Sequence, residues 1–341
     1  MTNLNEHLQS GTTAMEFFAN AIKKLNLQNC TAFEVYAHTA AIPAGLDPVL
    51  GDISVELPAN MMTHKFKLRS SVPDTTKSDV IVDWGDGKIS SIAKGEFDSK
   101  TDPDADKESD ITVSHTYEAD GKYVVRIFGV NYFGIKHDPA DSTHNLICRV
   151  FDWDLPIANH ILNLSNFCPG AYQLVNVHIA SYKFLEQTHN HYGIFENCVN
   201  LKSCTGIGEH FPPTRSVGRF FKGCSNLIET DFKFPVIFTG TSNAIIETFR
   251  GCSKLAVAIE SLFHSSKFNS RALNVTNLFR DCAALTGTIP ANKLWGDGAV
   301  GWSNTGAVFT GCSEAILAQA PTTWGGTKEA STIDNGEEEK A

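Results

Sequence analysis

The amino-acid sequence predicts a mainly β protein: a small β-sandwich, then a short solenoid of stacked repeats, with one helix in front. Two observations carry this. Between residues 29 and 150, short runs of alternating apolar and polar residues are separated by turn chemistry, the pattern of half-buried strands. From residue 151 onward a Phe–x–x–Cys–x–x–Leu unit returns with its cysteines 26 to 30 residues apart. A period of that size marks supersecondary units that bury their apolar faces only against one another.

Composition bounds the reading. The chain has 341 residues, 42% of them apolar, 22 phenylalanines and a formal net charge of -10. That is enough for two or three domains with a substantial core. The acidic balance and the lack of any basic run along the sequence argue against a nucleic-acid partner, which needs concentrated Lys and Arg.

The first element is a helix over 14–27, AMEFFANAIKKLNL, with apolar residues at helical spacing. It reads as a packed arm capping the next domain or as a docking element, and residues 1–28 form this arm. The opening residues lack the basic and apolar stretches of a secretory signal. No run approaches the roughly 18 continuous apolar residues that span a bilayer.

Strands follow. Residues 33–37, 53–57 and 65–68 show partial alternation. Residues 79–84 run into Gly85-Asp86-Gly87, a tight turn in which Gly accepts positive φ and Asp bonds local backbone. The segment 96–110, EFDSKTDPDADKESD, reads as a solvated acidic loop; it lacks the ordered ligand spacing of an EF-hand calcium loop. Two more strands, 111–117 and 121–129, are joined by a turn, with Tyr123, Val125 and Ile127 on one face. Short strands without intervening long helices pack as a sandwich. Trp84 is expected between the sheets and Asp86 in its own turn, with His115 and Tyr117 closing a strand edge. A hydrolytic use of the His and Asp residues finds no nucleophile or metal cluster nearby in sequence.

The motif Val82-Asp83-Trp84-Gly85-Asp86-Gly87, with His115-Thr116-Tyr117 and Gly121-Lys122-Tyr123-Val124-Val125, resembles the PKD family over roughly residues 50–130. The resemblance implies an immunoglobulin-like sandwich that serves as a spacer or as a module contacting protein or carbohydrate.

The repeats are Phe195/Cys198/Leu201, Phe221/Cys224/Leu227, Phe249/Cys252/Leu255 and Phe279/Cys282/Leu285; a fifth, Phe309/Cys312, has lost its Leu. Phe and Cys three apart are expected on one side of a helical turn, with one large ring per unit layered along an axis. The fifth unit reads as a terminal cap, and a degenerate earlier copy lies around Leu164, Phe167, Cys168 and Leu174. The nine cysteines are odd in number and periodic, so they read as small buried residues needing no oxidation. These units resemble BspA-like leucine-rich repeats over about 160–318, found in bacterial surface, phage and protist proteins. Residues 228–232 and 285–289 are the expected short strands, and spacers of 19 to 23 residues between units depart from a strict period.

The expected organisation is therefore an arm (1–28), an immunoglobulin-like β-sandwich (29–150), a leucine-rich-repeat solenoid (151–324) and a flexible acidic tail (325–341). His189 and His191 form an H-x-H pair without a third zinc ligand in reach and read as surface or interface residues. Trp295, Trp302 and Trp324 read as a cap on the solenoid, with exposed aromatic contacts as the alternative. No catalytic, cofactor or metal set is expected. Two settings for a contact protein remain. One is a virion component, decorating a capsid, head fibre or tail in a symmetric assembly. The other is a bacterial surface adhesin for host protein or glycan. The missing export signal and the free thiols favour the virion, whose proteins assemble in a reducing cytoplasm.

Overall fold

The computed structural model describes residues 31–70, 80–93, 109–128, 135–136, 146–153, 172–178, 189–208, 214–238, 244–264, 273–295 and 302–328. The helix expected over 14–27, the acidic loop as far as residue 108, the copy at Leu164, Phe167 and Cys168, and the tail from 329 lie outside the described residues.

In chain order the strands are β1 (Thr31–Ala37), β2 (Gly45–Asp47), β3 (Gly51–Ile53), β4 (Thr63–Ser70), β5 (Val80–Asp83) and β6 (Ile89–Ile92). Next come β7 (Ser109–Thr116), β8 (Gly121–Phe128), β9 (Ile135–Lys136), β10 (Ile147–Trp153) and β11 (Asn176–His178). The last are β12 (His189–Asn190), β13 (Ser203–Thr205), β14 (Thr214–Ser216), β15 (Glu229–Thr230), β16 (Leu273–Asn274) and β17 (Trp302–Asn304). The protein is mainly β, and its dominant feature is one eight-stranded mixed sheet in the order β15-β13-β11-β10-β1-β8-β5-β6.

From β6 to β10 this sheet is antiparallel; from β10 to β15 it is parallel. The change of direction falls on β10, antiparallel to β1 and parallel to β11. That strand straddles the domain boundary expected at residue 150, so the two halves share backbone hydrogen bonds. A second sheet, β7-β4-β9, covers the antiparallel part. Period-2 alternation explains which side chains meet between the sheets. Phe33, Val35 and Ala37 of β1, Val80 and Val82 of β5, and Val125 and Ile127 of β8 point inward and are buried. From the second sheet the Phe66 ring reaches 5.9 Å from Phe33 and 5.6 Å from Trp84.

The other face of the large sheet is covered where the halves meet. Ile42, Leu50, Ile53 and Leu57 pack on Cys148 and Val175, and Ser54 N–H donates to the Asn200 side chain at 2.7 Å. Asn200 in turn donates to Tyr172 O, and Asn226 donates to Val199 O and Ser54 Oγ. Each of these asparagines sits just before a repeat leucine and reaches back to the preceding turn.

Some expected strands are shorter. Residues 53–57 give only the end of β3 and a single bridge at Leu57, because Pro58 follows and has no N–H to continue a ladder. Residues 228–232 contract to β15, and 285–289 keep one bridge, Thr286 to Ala258. There the chain is held by single bonds such as Ala256 N–H to Ile228 O. A continuous apolar core nevertheless runs from Phe33 to Trp324.

The β5–β6 turn gives a differential test. Gly85 and Gly87 both have left-handed φ, 82° and 87°. A Cβ on Gly85 would lie 2.6 Å from Val124 O of β8, whereas one on Gly87 would meet nothing within 4 Å. Gly87→Ala should cost about 1 kcal/mol for the backbone alone, and Gly85→Ala at least about 2 kcal/mol, measured by urea unfolding. Equal costs would contradict the close approach of β8.

Candidate functional site

The repeated unit is built from its backbone outward. The residue before each cysteine has positive φ: Asn197 61°, Gly223 77°, Gly251 80°, Asp281 63° and Gly311 79°. Asn, Gly and Asp are the types that tolerate this conformation, which is why they alternate at that place. A second left-handed residue stands two before each phenylalanine: Gly193 64°, Arg219 55°, Glu247 55°, Asn277 56° and Ala307 55°. The expected helical turn is thus corrected. Each unit is a pair of tight turns with left-handed residues on either side of the ring, and these break any helix. Their alternate N–H groups all point to the next unit. Phe195 donates to Phe220 O, Phe221 to Thr248 O, Phe249 to Leu278 O and Phe279 to Val308 O, at 2.8–3.0 Å.

This ladder places the five rings in a column. Phe195, Phe221, Phe249, Phe279 and Phe309 stack with centroids 5.4–5.7 Å apart and planes within 26°. The cysteines bond rather than merely fill space. Cys224, Cys252, Cys282 and Cys312 donate their thiols to the carbonyls of Phe195, Phe221, Phe249 and Phe279 of the preceding unit, at 3.0–3.1 Å. Burial pushes these thiols up, Cys312 to about 12, so they remain protonated donors. Cys198 and the repeat leucines Leu201, Leu227, Leu255 and Leu285 are fully buried. At the far end Phe309 N–H donates to Trp324 O, and Trp295 closes on both Phe309 and Trp324, with Trp302 behind.

The first half brings its motif residues together around the β5–β6 turn. Trp84 is buried, its indole donates to Ser90 Oγ, and the His115 ring stacks on it at 5.0 Å. His115 Nε2 lies 2.7 Å from Asp86 Oδ2, while Asp86 Oδ1 accepts from Lys88 N–H. Burial raises the Asp86 carboxyl, but these two bonds outweigh it and hold it below its ordinary value. The Tyr117 hydroxyl donates to Trp84 O and is pushed up by burial; its ring stacks on Tyr123 at 4.1 Å. The direct Asp86–His115 tie between the turn and β7 was not legible from either residue alone.

The structure also assembles a charged ridge from residues far apart in sequence. Glu247, 8% exposed, lies 2.9 Å from Arg219 Nε, 3.0 Å from Lys222 Nζ and next to Arg250. The Arg219 approach is off the N–H direction, so it is a charge pair and not a directed hydrogen bond. Glu196 pairs with Lys222 at 3.3 Å, and the Arg219 guanidinium lies 5.4 Å from the Tyr192 ring centroid. Burial raises the Glu247 carboxyl, but Lys222, Arg250 and Arg219 overcome it and bring it down to about 2. Part of this ridge had a signal within the motif itself: Lys222, Arg250 and Arg280 each follow a repeat phenylalanine.

His191 is fully buried rather than at the surface. Among the described residues no group of three or more His, Cys, Asp and Glu is placed to hold a metal ion, and no described helix is long and apolar enough to cross a membrane. Comparison with protein-family models, curated proteins and solved structures gives no match.

The Glu247 network predicts an acid-dependent stability. Between the ordinary glutamate value of 4.5 and about 2, the folded chain keeps this carboxylate charged while the unfolded chain takes up a proton. Its contribution is complete above that window and is lost as pH falls through it. The stability gap between the wild type and Glu247→Gln should therefore shrink from pH 5 to pH 2; a gap independent of pH would contradict the network.

Proposed function

We propose that this chain is a non-catalytic virion structural or decoration protein, capsid, head-fibre or tail associated. It would join a PKD-like immunoglobulin sandwich to a BspA-like leucine-rich-repeat solenoid. The observation that carries the reading is how the motif residues are used. Rings stack on rings, thiols donate to the neighbouring unit, and the Asp86–His115 pair ties a turn to a strand. Such residues build a rigid body and leave its outer surfaces for contact.

The thiols support this setting. Seven cysteines are free and buried among the described residues; Cys148 and the repeat residues Cys224, Cys252, Cys282 and Cys312 act as hydrogen-bond donors through S–H. A chain whose repeats use reduced thiols suits assembly in a reducing compartment, where phage particles are built. Its partners would be other virion proteins in a symmetric assembly, with a host surface protein or glycan at the exposed faces. The alternative, a bacterial surface adhesin, draws support from the polar outer row of the parallel strands, where Ser203 donates to Asn176 and His178 pairs with Thr205.

Electron microscopy with antibody against this chain tests the setting. Regular labelling of purified phage particles is expected. Uniform labelling of bacterial envelopes, with bare particles, would overturn the virion reading in favour of the adhesin.

A further inference from the structure

We propose that the ridge of Tyr192, Arg219, Lys222, Arg250 and Arg280, braced from beneath by Glu247, binds an anionic glycan whose sugars carry carboxylate or sulfate groups. The inference rests on the reading of this chain as a contact protein and names the chemistry of one partner.

The layering of charge is the first ground. The side chains of Arg219, Arg250 and Arg280 are 35–39% exposed, whereas Glu247 is 8% and Glu196 17% exposed. The three guanidiniums face solvent, whereas Lys222, 22% exposed, lies with the two carboxylates beneath them, so the ridge turns its arginine charges outward although the counted charges nearly balance. Asp281, 55% exposed beside Arg280, is the exception at one end.

The second ground is periodicity. Lys222, Arg250 and Arg280 occupy one position in three successive units, and the rings next to them in sequence repeat every 5.4–5.7 Å. The units that carry these cations therefore repeat regularly along the column, as suits a polymer with recurring charges.

The third is placement. The turn imposes a left-handed residue at one place in every unit, and Gly193, Asn277 and Ala307 fill it without charge. Arg219 and Glu247 put a charged pair there instead, with the Arg219 guanidinium beside the Tyr192 ring.

The chemistry selects the ligand class. A guanidinium fork recognises carboxylate and sulfate oxygens in bidentate fashion, and the Tyr192 ring adds an apolar face. Glu196 and Asp281 can accept hydroxyl donors, which sugars supply and phosphodiester chains largely lack. Carboxylates among the cations, in a chain of net charge -10, oppose the dense phosphates of a nucleic acid.

That net charge makes the test sharp, because the whole molecule repels polyanions and retention requires a local patch. The full chain should be retained on immobilised heparin at low salt and released as salt rises, without retention on neutral dextran. The double variant R250Q/R280Q should lose at least about tenfold in affinity, as expected for lost charge-assisted bonds, with the wild-type fold retained by circular dichroism at the temperature of the binding assay. Lys65→Gln, which removes an exposed cation on β4 of the first half, should bind as wild type. No heparin retention, an undiminished double variant, an equal loss in Lys65→Gln, or equal binding of oligothymidylate would each overturn the assignment. A chain that labels particles yet ignores heparin would sink the ridge proposal alone.

Discussion

Cys224, Cys252, Cys282 and Cys312 each donate a thiol to the backbone carbonyl of the ring residue in the unit before, and the rest of the second half depends on that contact. With the N–H ladder it sets the distance between units, so the phenylalanine rings meet face to face at 5.4–5.7 Å. Serine would supply the donor but bury a more polar oxygen; alanine or valine would leave the carbonyl without it. Cysteine meets both demands, being small, apolar and a weak S–H donor. The sulfur bond is individually modest, but it recurs in four consecutive junctions along with the N–H ladder between turns.

A stack of this kind has ends that must be closed. At the first end β10 serves as the template: one edge completes the antiparallel sheet of the first half and the other begins the parallel ladder. The segment 42–57 and the Ser54–Asn200–Asn226 bonds brace that junction from the outer face. The far end is closed by Trp295, Trp302 and Trp324. The first half thus acts as a structural cap, which accounts for the single core running through both halves.

Legibility in the sequence tracked how local each constraint was. The strands of the first half could be read because alternation and the Gly85-Asp86-Gly87 turn are local signals. The position before each cysteine carried a local signal that the helical reading passed over: only Asn, Gly and Asp occur there, and all tolerate positive φ. The matching position two before each phenylalanine was hidden: Gly193, Arg219, Glu247, Asn277 and Ala307 share no chemistry, and only the fold imposes their conformation. The helical reading of the turn failed for that reason. The shared sheet was hidden because pairing of β10 with β11 spans a long connection and leaves no periodic trace. The charged ridge was half visible, its basic residues lying inside the repeat motif while their partner Glu247 is placed only by the coiling of the chain.

The ladder between units is open to direct measurement by amide hydrogen exchange, followed by NMR at Phe195, Phe221, Phe249 and Phe279. Because each N–H is bonded to the next unit and buried, all four should be strongly protected and to a similar degree, as in one cooperative body. Rapid exchange at these amides, alongside slow exchange in the first-half strands, would contradict the stacked column and the account built on it.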